Sequence, residues 1–160
     1  MIEVRTACPE DFQALAHLGL EAWKRGIGPL VAPSVVAKME RANPFLSFLE
    51  DQNCNILVAV IAGVPIGFAA CEGRDNHISD VWVSPGFEGR GCATALIGAL
   101  TTRIFDRGYE DATIEVAADN TRAHRLYLHL GFVEEWRGMR RDPLLGAELV
   151  KVRMRTRLSP

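Results

Sequence analysis

Val83-Ser84-Pro85-Gly86-Phe87-Glu88-Gly89-Arg90-Gly91-Cys92-Ala93 joins an apolar run of strand length, His77–Val83, to a stretch whose apolar residues recur at helical spacing. Ala93, Leu96, Ile97, Leu100 and Ile104 fall on one side of a 3.6-residue spiral, and Arg107-Gly108 supplies the basic residue and the glycine that close a helix. The joint therefore reads strand, glycine-rich turn, amphipathic helix. Gly89 and Gly91 let successive backbone N–H groups turn toward one point, and the helix behind them adds its unsatisfied N–H groups and positive dipole end. Such a cradle suits a phosphate or pyrophosphate, and a tight turn that only packs the helix on a sheet is the plainer alternative. No Gly-Lys-Ser/Thr follows, which excludes a P-loop, and the glycines do not make the dinucleotide GxGxxG pattern.

On the N-terminal side, Ile56–Ala62 and Ile66–Glu72 are apolar runs around Gly63-Val64-Pro65 and predict a hairpin buried on both faces. After a polar turn, Gly73–Asn76, His77–Val83 reads as a third strand of that kind. Ile2–Arg5 alternates like a short strand, and Pro9 with Glu10 and Asp11 opens a helix expected over Glu10–Lys24. Ser34–Asp51 is helical in composition but broken at Asn43-Pro44, which predicts two short helices. On the C-terminal side come a strand at Ala112–Ala117, a helix at Asn120–Leu130 stopped by Gly131, and a closing pair of strands, Phe132–Arg140 and Glu148–Leu158. The order is mixed α/β with no internal repeat and no linker.

With 160 residues the chain has the length of one domain, expected over residues 1–160. Its 48% hydrophobic and 24% charged content belongs to a folded, water-soluble protein and excludes the composition of disorder. Eighteen Lys/Arg against twenty Asp/Glu leave a charge of −2, so neither a nucleic-acid partner nor an anionic membrane is expected. The longest uncharged stretch, Asn53 to Cys71, is interrupted by Gly63, Pro65 and Gly67 and does not fit a membrane span. Acids at Glu3, Glu10 and Asp11 replace the basic start and apolar run of a signal peptide, and a cytoplasmic product is expected. Cys8, Cys54, Cys71 and Cys92 show neither CxxC spacing nor histidines at ligand intervals, so no metal site is expected. Cys54 and Cys71 are expected to pack in strands. Cys92 is the thiol to watch, although it also serves as a small apolar residue.

The loop resembles the acetyl-coenzyme A loop of the GNAT superfamily of N-acetyltransferases, Gln/Arg-x-x-Gly-x-Gly/Ala after a strand ending Val-x-Pro. Here it is Glu88-Gly89-Arg90-Gly91-Cys92-Ala93 after Val83-Ser84-Pro85. A second block, Asn120-Thr121-Arg122-Ala123-His124-Arg125-Leu126-Tyr127-Leu128-His129-Leu130-Gly131-Phe132, is similar to the family's Asn-x-x-Ala-x-x-Leu-Tyr-x-x-x-Gly-Phe. The resemblance covers residues 56–140, the expected acetyl-coenzyme A core, and the first 55 residues only in their strand-then-helices pattern. One residue departs from it. Glu88 stands where the family has Gln or Arg, and a carboxylate there opposes a pyrophosphate unless it points to solvent.

The resemblance implies an α/β (α+β) fold, a mixed, mostly antiparallel central sheet of about six or seven strands flanked by helices on both faces. It also implies direct transfer of an acetyl group from acetyl-coenzyme A to a primary amine, in a ternary complex with no acyl-enzyme and no metal. The acceptor classes are a small amine, an amino acid or a peptide N-terminus, and a homodimer is a further expectation. A coenzyme A-binding regulatory module without turnover, and an acyltransferase for a longer thioester, are the alternatives.

Carried over residue by residue, Tyr127 is the acid that protonates the leaving sulfur, a role open to a phenol of pKa near 10. It also lies on the apolar face of its helix. Glu115, twelve residues earlier in a strand, is the candidate base, as in the branch resembling bacterial ribosomal-protein N-terminal acetyltransferases. A charge in an apolar strand has to meet water or a partner. His77 stands where the histone-acetylating branch has its catalytic Glu, and imidazole titrates near 6.5. Asp80, expected to share a strand face with Ile78 and Trp82, is a candidate for orienting the amine. An α-amine of pKa nearer 8 carries a usable neutral fraction at pH 7–8, so a weak or water-relayed base suffices.

The resemblance further assigns the backbone of Val81 and Val83 to the pantetheine arm, and Glu88, Gly89, Arg90, Gly91, Cys92, Ala93 and Thr94 to the pyrophosphate loop. Asn120 meets the arm or caps the helix that starts at Thr121, with Ala123 and Tyr127 beyond it. Arg90 and Arg125 are candidate phosphate partners, and Trp23, Phe45 and Trp136 candidates for an acceptor cleft. Lys151, Arg153, Arg155 and Arg157 make one basic strand face.

Overall fold

The computed structural model describes residues 1–52, 55–72, 75–142 and 146–160. β1 (Glu3–Thr6) leads through a 3-10 turn at Pro9–Asp11 into α1 (Phe12–Gly26), followed by α2 (Pro33–Ala42) and α3 (Phe45–Gln52). β2 (Ile56–Ile61), β3 (Val64–Cys71) and β4 (His77–Val83) precede α4 (Cys92–Asp106), and β5 (Asp111–Ala117), α5 (Thr121–His129), β6 (Val133–Asp142) and β7 (Ala147–Arg157) complete the chain. The first helix starts later than expected because Pro9–Asp11 forms the tighter turn. There Arg5 grips Asp11 with two hydrogen bonds of 2.8 and 3.0 Å, and its guanidinium holds the Asp11 carboxyl down at about 2. The break between α2 and α3 is sited as expected. Asn43 takes a left-handed backbone, φ 32°, while its side chain donates to the Ala16 carbonyl and pins the corner to α1.

The seven strands form one sheet in the order β1-β2-β3-β4-β5-β7-β6, antiparallel throughout except between β4 and β5. Helices cover both faces. Successive residues of β2 alternate between them: Leu57 and Ala59 join Leu96, Leu100 and Ile104 of α4, whereas Ile56 and Val58 join Phe12, Leu15 and Leu49 of α1 and α3. Cys71 packs in β3, where burial pushes its thiol up to about 11. The expectations for Cys54 and for Gly73 in its turn lie outside the described residues. Among the described residues, no helix is long and apolar enough to cross a membrane, and no cluster of His, Cys, Asp or Glu is placed to hold a metal ion.

β4 corrects two expectations. It is not buried on both faces: Ile78 alone is buried, and the remaining residues are half-exposed. The cause is its neighbour, since β5 pairs with it only at His77↔Thr113 and Ile78↔Ile114 and then parts from it. Nor does Asp80 share a face with Ile78. The register slips between Cys71↔Ile78 and Ala70↔Asp80, so Ser79 is an extra residue that resets the alternation. Ile78 enters the α4 core, while Trp82 packs on the α1 side and donates from its indole to Asp80 at 2.9 Å.

Candidate active site

The parting of β4 and β5 opens a cleft of about 1310 Å³ through the sheet. That exceeds the roughly 300–1,000 Å³ of a pocket for one drug-sized ligand and leaves room for two substrates together. On the β3 side, Ser84 N–H donates to the Ile66 carbonyl at 2.8 Å. Backbone groups alternate sides along a strand, so those of Val81 and Val83 face the gap that β5 has vacated. Free main-chain donors and acceptors therefore line one wall.

The glycine-rich loop forms one end of the cleft, to which Glu88, Gly89, Gly91, Cys92, Ala93 and Thr94 all contribute. Gly89 and Gly91 have φ of 75° and 85°, which disfavour any side chain. Ala95 N–H makes the first turn's bond, to Gly91 O at 3.0 Å, and the N–H groups of Cys92, Ala93 and Thr94 precede it with no intrahelical acceptor. Cys92 is a packing residue. Its side chain is buried against β3, where a Cβ on Gly67 would stand 2.8 Å from its sulfur, and burial pushes the thiol up to about 11. Arg90 lies outside the cleft with its guanidinium 5.1 Å over the Phe87 ring, and Arg125 is an exposed residue of α5 away from it. Asn120 caps α5 by accepting from Ala123 N–H at 3.4 Å, and both residues line the cleft.

Tyr127 also lines the cleft, buried on α5 against Phe132. Its hydroxyl makes no hydrogen bond among the described residues, so its proton is free for a ligand. Burial, with the Asp80 charge adding, pushes the phenol well above its usual 10 and keeps it protonated. Asp80 faces it from β4. Burial raises the Asp80 carboxyl above the ordinary carboxylate range, against the hydrogen bonds from Trp82 and Ser79 that lower it.

At the other end, Glu115 lies one residue beyond the last rung of the β4/β5 pairing and approaches His77. His77 Nδ1 lies 2.7 Å from Thr113 Oγ1, and its Nε2 is 4.0 Å from Glu115 Oε2. Burial lowers the His77 pKa, Glu115 opposes that shift, and Arg153 and Arg140 add to it, so the ring is neutral at pH 7. Arg140 also pairs with Glu115, Nε to Oε1 at 3.2 Å, while its guanidinium stacks 4.5 Å over the Trp136 ring. Trp136 itself stays outside the cleft, whereas Trp23 and Phe45 line it from the core beneath. The basic face of β7 is met by carboxylates: Lys151 by Asp142, Arg153 and Arg155 by Glu135, and Arg155 also by Asp111.

The family model described as the acetyltransferase (GNAT) family matches residues 20–132. The chain belongs to the GNAT family of acetyltransferases. Membership makes it an acetyl-coenzyme A-dependent N-acetyltransferase. It is 30% identical over 129 residues to an uncharacterised N-acetyltransferase of Mycobacterium tuberculosis, covering 76% of this chain and 83% of that one. A GCN5-related N-acetyltransferase structure from Rhodopseudomonas palustris superposes with a TM-score of 0.80 at 25% identity, over 98% of this chain and 95% of the other. The PaiA N-acetyltransferase of Thermoplasma acidophilum, solved with coenzyme A, gives a TM-score of 0.74 at 17% identity over 98% and 99%.

Three arginines of the acetyltransferase's cleft escaped the sequence reading as site residues. Arg140 reaches Glu115 from β6, and Arg25 and Arg122 meet at Glu88 from α1 and α5. Only the alternation of Trp136, Gly138 and Arg140 along a strand hinted at one of them: a Cβ on Gly138 would stand 2.8 Å from the indole, which lies flat across it beside Arg140.

Proposed function

We propose that this enzyme acetylates the primary amine of a small amine, an amino acid or a peptide N-terminus by direct attack on the thioester of acetyl-coenzyme A. The parted β4 and β5, with Tyr127 lining the cleft between them, carry the proposal. The Val81 and Val83 main chain receives the pantetheine arm, and the N–H groups from Gly89 to Thr94 receive the pyrophosphate. The acceptor enters from the Asp80, His77 and Glu115 end. Asp80 orients the amine, and Glu115, directly or through water, takes its proton, with neutral His77 beside it.

The nitrogen lone pair forms the new C–N bond as the C–S bond breaks, and the departing thiolate takes the Tyr127 proton. One proton leaves the nitrogen for Glu115 and one reaches the sulfur from Tyr127, so the cycle closes when Glu115 gives its proton to solvent and tyrosinate takes one back from it. Tyr127 is protonated at neutral pH, so the acid is in place before the thiolate departs.

Thermal shift with acetyl-coenzyme A, against NADH and ATP as controls, tests the site. A ligand at about 100 times its dissociation constant stabilises by roughly 2.7 kcal/mol, a rise of several degrees at this size. A rise with acetyl-coenzyme A alone, followed by thiol release on addition of one acceptor class, supports the proposal. No rise at saturation sinks it.

A further inference from the structure

Glu88, the residue at which the loop departs from the family pattern, does not point to solvent. Its side chain is 18% exposed, with one carboxylate oxygen 2.7 Å from Arg25 Nε and the other paired with the Arg122 guanidinium. Arg25 closes the last turn of α1 and Arg122 sits in the first turn of α5, so three segments remote in sequence meet at the loop. All three residues line the cleft. Gly89 adjoins the cluster, since a Cβ there would lie 3.7 Å from the Arg122 guanidinium.

Two guanidiniums against one carboxylate leave a surplus positive charge, set beside the N–H groups that open α4. Both arginine side chains are more than half exposed, at 58% and 61%, and an exposed ion pair costs little to exchange. The guanidinium fork fits carboxylate and phosphate oxygens alike. We propose that Arg25 and Arg122 are phosphate ligands of acetyl-coenzyme A, and that Glu88 is an internal anion that holds them in the free protein and yields them on binding. This rests on the coenzyme reading of the cleft given above. Glu88 keeps the two arginines ordered and near the loop without a ligand, and it competes with the phosphates for them. It therefore lowers affinity and favours release of coenzyme A after transfer.

S-acetylpantetheine carries the thioester and the arm but no phosphate, and it separates the two claims. Calorimetric titration of the whole protein should show Arg25→Gln and Arg122→Gln each weakening acetyl-coenzyme A by about five- to tenfold, with S-acetylpantetheine unchanged. Arg122→Lys, which keeps the charge, should recover part of the loss. Glu88→Gln should tighten acetyl-coenzyme A by about threefold or more and leave S-acetylpantetheine alone. Equal weakening of both ligands by the arginine variants, or weaker acetyl-coenzyme A binding in Glu88→Gln, overturns the exchange and makes the cluster a structural strap. Equal affinity of the wild type for the two ligands overturns the phosphate subsite alone. Binding of neither overturns the coenzyme reading and the subsite with it.

Discussion

The two ends of the cleft are built by different means. The end at the glycine-rich loop offers backbone groups, from two glycines with positive φ, a helix start and a strand edge left open by its neighbour, with the Arg25, Arg122 and Glu88 cluster beside them. The proposed acceptor end is walled by side chains drawn from several elements, Asp80 and His77 from β4, Glu115 from β5 and Arg140 from β6, with Trp23 and Phe45 also in the lining. Backbone recognition follows from local rules of chain geometry and tolerates many side chains. Side-chain recognition depends on which distant residues the fold brings together, and a substitution there changes the chemistry without disturbing the fold. One cleft can thus keep its coenzyme while its acceptor changes.

Tyr127 lines the same cleft, and its removal should give the largest effect on rate. Tyr127→Phe keeps the ring packed on Phe132 and deletes the proton, so turnover should fall about 100-fold, the lower range for a general acid, with the acetyl-coenzyme A dissociation constant unchanged. An unaltered rate in a thiol-release assay removes the acid role. Gly67→Ala probes the coenzyme end alone. Its Cβ would stand 2.8 Å from the Cys92 sulfur and 2.9 Å from the Trp82 carbonyl, forcing α4 away from β3 at the helix start. Urea unfolding should show a loss of about 1–3 kcal/mol. Acetyl-coenzyme A should bind more weakly while the acceptor KM of the surviving enzyme holds, and a parallel rise in that KM would show that the two ends are not separable.

The acceptor end answers to smaller changes. Glu115→Gln should cost about tenfold in kcat, less than the 100-fold or more of many general bases, because an α-amine already carries a neutral fraction near pH 7. The loss should be greatest at acidic pH, where that fraction is smallest. A pH profile of unchanged shape would move the base to His77 or to water.

This contrast also explains what the sequence disclosed. The loop Glu88–Ala93 and the helix behind it were legible because glycine spacing and apolar period are local, and the succession of strands along the chain followed from apolar runs such as Ile56–Ala62 and His77–Val83, while their order in the sheet did not. Asp80 was correctly placed on β4 and beside Trp82 but not on the face of Ile78, since a strict period of two cannot show that Ser79 is an extra residue until β3 is paired beside it. Glu115 was legible as a charge in an apolar strand. Its partner Arg140 was not, because nothing in an arginine-rich exposed strand says which side chain crosses β7 to reach β5. Likewise Glu88 was noticed as an exception, while the arginines that hold it lie on helices whose exposed faces show nothing unusual.

Arg140→Gln gives the mildest expected effect and the sharpest test of how the acceptor end works. Arg140 touches Glu115 and holds the His77 pKa down, so it acts on the proton inventory through its neighbours. Its removal should reduce kcat/KM by about two- to threefold, as befits a half-exposed ion pair. The sign of the accompanying pH effect is fixed. Loss of a nearby positive charge favours the imidazolium, so the His77 pKa rises, and on raising pH the ring becomes neutral later than in the wild type. The acidic limb of kcat/KM should therefore move to higher pH, in step with an upward shift of the His77 titration followed by NMR. Movement of the NMR titration without the limb would leave His77 a bystander and assign the acceptor's proton to Glu115 alone. Movement of neither would show that Arg140 serves only to stack on Trp136 and brace β6, so that the acceptor end holds one carboxylate fewer under electrostatic control than the geometry implies.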